Sequence, residues 1–189
     1  MTYVTDFADQ AVMLPLIAAV ALTLGALGWW RGAAAWLLAV GATFASVLML
    51  KLLFGACLGV PSLRSPSGHT AAAAMFAGGM TAIVGLDRRR VAAAAGLAVL
   101  VIGVTRLVLG EHTAPEVALG GVLGLSGALG FARLAASVPR LRLRWLFAII
   151  VAMGLLLHGR HLNAERYIRA ASAAIPFCTS LQAWWSQVV

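Results

Sequence analysis

The chain has 189 residues, 62% of them hydrophobic and 11% charged, with a mean hydropathy of +0.95. Soluble domains carry about 45–50% apolar and about 25% charged residues, so a soluble globular fold is excluded and an integral membrane protein is indicated, short enough to form one membrane domain over residues 1–189. The net charge of +8 comes from arginines set between apolar runs, the pattern of cytoplasmic loops, and not from a basic face with stacking aromatics, so no nucleic-acid partner is expected.

The opening residues carry Asp6 and Asp9 and no Lys or Arg, unlike a signal peptide, so the first apolar run is expected to remain as a span. A spanning helix needs about 20 mainly apolar residues. Five runs approach that length: Ala11 to Trp30, closed by Trp29, Trp30 and Arg31 as an interfacial anchor; Ala33 to about Gly59, with Lys51 toward its far end; Ser67 to Leu86; Val91 to Leu109; and Pro115 to Ala136. Gly120, Gly121, Gly124, Gly127 and Gly130 in the fifth would let helix backbones approach closely. A sixth run, Trp145 to Leu157, is short, and becomes a span if Arg142 and Arg144 snorkel and the helix continues past His158. The tail from Leu162 to Val189 reads as a segment lying on the membrane, with a seventh span from Ala170 as the alternative. The fold expected is therefore all-α, a polytopic bundle of about six transmembrane helices.

Arg31, Arg88 to Arg90, and the run Arg133 to Arg144 all fall in alternate connections, which places those connections in the cytoplasm. The acidic N-terminus, the stretch Arg64 to His69 and the stretch Gly110 to Ala114 then share the outer face. Cys57 and Cys178 have no metal-ligand spacing, and pairing between them requires both on an oxidising side.

Those two outer stretches hold the chemistry. In Pro66-Ser67-Gly68-His69, Ser67 is a natural N-cap for the third run, the first helical N–H groups face any anion there, and Gly68 lets an oxygen approach the backbone. His69 stands in the first turn. In the second stretch Arg106 ends the fourth run, His112 follows, Pro115 suits a first helical position, and Glu116 lies four residues after His112. A carboxylate bonded to one ring nitrogen fixes the tautomer and sharpens the other as a nucleophile. Taken singly, each of these residues is also explained as a cap, a snorkelling cation or a helix-dipole carboxylate. Together on one membrane face they describe a phosphate site.

These residues resemble the motifs of the type 2 phosphatidic acid phosphatase superfamily. Pro-Ser-Gly-His is intact at Pro66 to His69 and is followed by Thr70. The family's Ser-Arg, five residues, His, three residues, Asp reads Thr105-Arg106, then His112, then Glu116, with Thr for Ser and Glu for Asp. Its Lys, six residues, Arg-Pro keeps Lys51, but Leu58-Gly59 replace Arg-Pro. The resemblance covers roughly residues 33–131. It implies that His112 attacks phosphorus, His69 protonates the leaving oxygen and then activates water, and Glu116 orients His112. It further implies that Lys51, Ser67, Gly68 and Arg106 hold the phosphate oxygens, with no metal and no other cofactor. Arg64, beside the motif turn, is the expected substitute for the missing Arg, with Arg160 or Arg166 second.

The function so implied is a lipid phosphate phosphatase of the bilayer, on a bacterial inner membrane with its site facing the periplasm. Its substrate would be phosphatidate, phosphatidylglycerol phosphate, a polyprenyl pyrophosphate or lipid A. A lipid phosphotransferase and a non-catalytic lipid-phosphate binder stay open as alternatives. A channel or transporter would want polar groups at mid-membrane, and the runs hold few.

Overall fold

In a computed structural model the chain is all-helical over the described residues, which are 2–58, 65–135, 139, 143–162 and 167–168. The helices are α1 (Thr2–Asp6), α2 (Gln10–Ala26), α3 (Trp30–Leu50), α4 (Gly68–Ile83), α5 (Arg88–Val108), α6 (Ala114–Leu134) and α7 (Arg144–Leu157). A π-helical stretch, Lys51–Leu58, continues α3. Among the described residues, three helical segments are long and apolar enough to cross a membrane: Trp30–Phe54, Arg88–Val108 and Ala114–Leu134. The molecule is an integral membrane helical bundle.

Local chemistry explains where the helices begin and end. Asp9 caps α2 by accepting the Ala11 N–H, and Gly28 at φ 82° stops the first run before Trp30. Of the two tryptophans expected as an anchor, Trp30 is exposed, whereas Trp29 is buried against Gly32. Ser67 caps α4 as expected, its hydroxyl accepting the Thr70 N–H. Arg88 to Arg90 form the first turn of α5 and not a loop, because the Asp87 carboxylate accepts the N–H groups of Arg89 and Arg90.

The sixth run is a 14-residue helix, about 21 Å long and so below the thickness of a hydrocarbon core. It does not continue past His158: Gly159 takes φ 78°, and the chain folds back so that His158 Nε2 lies 3.1 Å from the Tyr3 carbonyl. Most of the tail, including Arg166 and Cys178, lies outside the described residues, as does Arg64.

α4 lies at the centre of the bundle, against α5, α6 and α3, and α7 packs on α2. Trp36 ties α3 to its neighbours: its indole N–H donates to the Ile17 carbonyl of α2, and its ring meets Phe76 and Phe131 edge-on. Two of the α6 glycines do what their small size suggested, whereas Gly121 and Gly127 face side chains and a Cβ on Gly130 would meet open space. A Cβ on Gly120 would strike the Ser67 carbonyl, and one on Gly124 would strike the Ala71 carbonyl of α4. Close backbone approach is thus what brings the start of α6 against the start of α4. Gly124→Ala is expected to destabilise the bundle by about 1–3 kcal/mol through overpacking. Gly96→Ala, where a Cβ meets open space, should be neutral or mildly stabilising. Thermal unfolding of the two variants in detergent checks the contrast.

Successive helices run up and down. The start of α2, the end of α3, the start of α4, the end of α5 and the start of α6 therefore share one end of the bundle. Arg31, Arg88 to Arg90, Arg133 and Arg144 belong to the opposite end.

Candidate active site

Glu116 is the hub of the polar end. One oxygen, Oε1, accepts the Ser65 N–H at 2.9 Å; the other, Oε2, accepts the Thr113 N–H at 2.9 Å and lies 3.1 Å from His112 Nδ1. Its own backbone carbonyl accepts the Ser67 N–H at 3.0 Å. One residue therefore binds the Pro-Ser-Gly-His turn to the His112 loop. The expected His112–Glu116 pairing is present, but helical spacing does not make it. α6 begins at Ala114, Pro115 is its second residue, and His112 precedes the N-cap Thr113. Glu116, third in the helix, reaches back to the N-cap N–H as in a capping box, and His112 joins the same oxygen.

The other side of His112 is set by the end of α5. Gly110 at φ 69° reverses the chain there, and the N–H groups of Glu111 and His112 both donate to the Arg106 carbonyl. Arg106 Nη2 lies 3.6 Å from Glu111 Oε2. Thr105, the motif position where Thr stands for Ser, is buried, and its hydroxyl accepts from Thr5 of α1 at 2.8 Å.

Lys51 opens the π-helical stretch, a widened turn of a kind frequent at functional sites. It is 6% exposed, and its Nζ donates to Ser65 Oγ at 3.4 Å. Ser67 is fully buried, and its Oγ accepts both the N–H and the O–H of Thr70, so its own hydroxyl proton is left to donate. At Gly68 a Cβ would stand 3.3 Å from Gln10 Nε2 and 3.9 Å from Lys51 Cε, so this bare backbone faces side chains from α2 and from the π-helical continuation of α3.

His69 sits in the first turn of α4 with 19% of its side chain exposed, and its Nε2 lies 3.6 Å from Asp9 Oδ2. Asp9 was read in the sequence only as part of an acidic terminus. Its signal, an Asp two residues before an apolar run, is that of an N-cap, and its place on the outer face follows from the alternation of spans.

Electrostatics favour a neutral His112. Burial is the largest influence and lowers its pKa from 6.5; Glu116 opposes this, and the Lys51 and Arg106 cations reinforce it. Asp9 goes the other way. Burial works to raise its pKa, but the His69 ring and the N–H groups of Ala11 and Leu162 prevail, and it falls to about 2.

The structure thus gathers Ser67, Gly68, His69, Lys51, Arg106, His112 and Glu116 at one end of the bundle. Arg64 and Arg166 lie outside the described residues, and Arg160 is exposed beyond α7. Among the described residues no three His, Cys, Asp or Glu side chains are grouped to hold a metal ion.

The family model described as the PAP2 superfamily matches residues 33–140, which contain Lys51, Ser67, Gly68, His69, Arg106, His112 and Glu116 but not Asp9. No curated protein and no solved structure matches the chain. The match covers more than half of the 189 residues and includes both motifs that Glu116 holds together, so the chain belongs to the PAP2 superfamily, whose members are generally phosphatases.

Proposed function

We propose that the chain is a lipid phosphate phosphatase that works through a phosphohistidine at His112, without a metal, at the outer face of the membrane. The observation that carries this reading is the double role of Glu116. The carboxylate that bonds His112 Nδ1 also bonds the backbone of the Pro-Ser-Gly-His turn, so nucleophile and anion cradle are parts of one unit.

In the first step the Nε2 lone pair of His112 attacks phosphorus, the bond from phosphorus to the leaving oxygen breaks, and His69 gives that oxygen a proton. In the second, His69 takes a proton from water, the water oxygen attacks phosphorus, and the P–N bond breaks to release phosphate. Lys51, Arg106, Ser67 and the Gly68 backbone compensate the charge on the phosphoryl oxygens throughout. Arg64, in the stretch before the cradle, is the proposed replacement for the missing motif arginine.

A substrate that comes from the bilayer suits a site at the end of apolar helices with short connections. Phosphatidate, phosphatidylglycerol phosphate, a polyprenyl pyrophosphate and lipid A each present such a phosphate. The arginine-rich opposite end of the bundle supports an outer, periplasmic site in a bacterial inner membrane.

A panel of lipid phosphates incubated with the purified chain in detergent tests the reading. Phosphate release is expected from at least one of them, and is expected to depend on His69 and His112. Leu58-Gly59 in place of Arg-Pro favours a second reading, a non-catalytic binder, which predicts equal background release from wild type and His112→Ala.

The pH profile gives a separate check. The attacking imidazole must be neutral, and burial favours the neutral form, so the acid limb of kcat/KM is expected below pH 6.5, the ordinary histidine value. An acid limb at or above 6.5 would contradict His112 as the group it reports.

A further inference from the structure

The N-terminal segment lies outside the family match, yet it delivers a carboxylate to the site. Asp9 is 6% exposed, and its two oxygens have different surroundings. Oδ1 accepts the Ala11 N–H at 2.8 Å, as the N-cap of α2, and the Leu162 N–H at 3.0 Å, from the chain beyond α7. Oδ2 faces two imidazoles: His69 Nε2 at 3.6 Å and His161 Nδ1 at 3.7 Å. His161 is largely exposed, while His69 is mostly buried, so the His69 contact is the better shielded of the two.

We propose that Asp9 is the positioning residue of His69, so that the site is built from two carboxylate–histidine couples, Glu116 with His112 and Asp9 with His69. This role rests on the reading of His69 as the proton donor. The carboxylate holds one ring nitrogen, and the proton on the other goes to the departing oxygen as its bond to phosphorus breaks. His69 is then neutral and can take a proton from the water that attacks the phosphohistidine. At 3.6 Å the couple is at ion-pair distance rather than hydrogen-bonded, and contacts of this kind tighten when substrate is bound.

Asn at position 9 separates this role from the structural one. Its amide oxygen still accepts the N–H groups of Ala11 and Leu162, and Asn caps helices as well as Asp does. What it removes is the charge facing His69. The purified full chain in detergent would be assayed with two phosphomonoesters carrying the same hydrocarbon tail, one leaving as an alcohol and one as a nitrophenolate. An alkoxide needs a proton in order to leave, and a nitrophenolate hardly does. For Asp9→Asn, kcat/KM is expected to fall by about 30- to 100-fold with the alkyl ester and by less than about threefold with the nitrophenyl ester, a misplaced general acid being felt only where a proton is needed. Asp9→Glu, which keeps the charge but moves it, should give an intermediate loss on the alkyl ester alone, and serves also if the Asn variant does not fold. Equal losses on the two esters in both variants would reduce Asp9 to a helix cap and overturn the proposal. Release that is indifferent to His112→Asn would remove the phosphohistidine reading and this role with it, an outcome distinct from the first.

Discussion

Replacing His112 with Asn is expected to lower phosphate release by a factor on the order of 10⁴ or more, the scale on which losing a covalent nucleophile is felt. Asn keeps a polar side chain of similar breadth that can still donate to Glu116 Oε2, so the bond that joins the loop to α6 can persist while the attacking lone pair is gone. The fold is therefore expected to survive, and unfolding temperatures of variant and wild type should agree within a few degrees. A labelled lipid phosphate sharpens the test. A phosphoramidate bond survives alkali and is lost in acid, so wild-type protein quenched in alkali during turnover should carry label, and His112→Asn should carry none. A variant that keeps more than about a tenth of wild-type turnover would move the nucleophile elsewhere, since a lone catalytic nucleophile does not tolerate removal so lightly.

How much of this was legible in the sequence differs from element to element, for physical reasons. The long helices were readable because their apolar runs approach membrane length and Ser67 carries a start in its local backbone chemistry; Gly28 and Gly110, which stop α2 and α5, were not read as stops, and the first run was carried past Gly28 to Trp30. That the fifth run packs closely on a neighbour was readable from its glycines, but that the neighbour is α4, met at Gly120 and Gly124, is known only from the packing. The Arg88 to Arg90 run was misplaced by a turn, since a cluster of charge looks alike in a loop and in the first turn of a helix, and only Asp87 decides between them. α1 is five residues long, too short for any periodic signal. Asp9 escaped for another reason. Its local sequence explains it completely as a cap, and its partner His69 lies sixty positions away across the bundle, a juxtaposition that only packing creates. The extra methylene of Glu116, a departure from the family motif, is what lets a side chain of α6 bond both the His112 loop and the Ser65 backbone.

Glu116→Gln should follow His112→Asn in severity. Among the described residues the carboxylate meets three donors: the N–H groups of Ser65 and Thr113 and the Nδ1 of His112. An acceptor-only group satisfies all three, and an amide cannot. If the amide oxygen takes the place of Oε2, the bonds to Thr113 and His112 survive, but the amide N–H₂ points at the Ser65 N–H and pushes the Pro-Ser-Gly-His turn away from α6. If it takes the place of Oε1, the N–H₂ meets Thr113 and forces His112 to accept at Nδ1, which puts the ring proton on Nε2 and blocks attack. One orientation damages the cradle and the other the nucleophile. A loss in kcat on the order of 10³- to 10⁴-fold is expected, as when the orienting carboxylate of a catalytic triad becomes an amide. A buried donor left unsatisfied should also cost about 1–3 kcal/mol of stability. Glu116→Asp tests the geometry separately: it restores the family's residue but falls one methylene short of Ser65 and Thr113, so it should recover some activity and little of the stability. Were Glu116→Gln to keep near-wild-type kcat, the carboxylate would be a helix cap and no more, and the coupling of the two motifs through it would have no part in the chemistry.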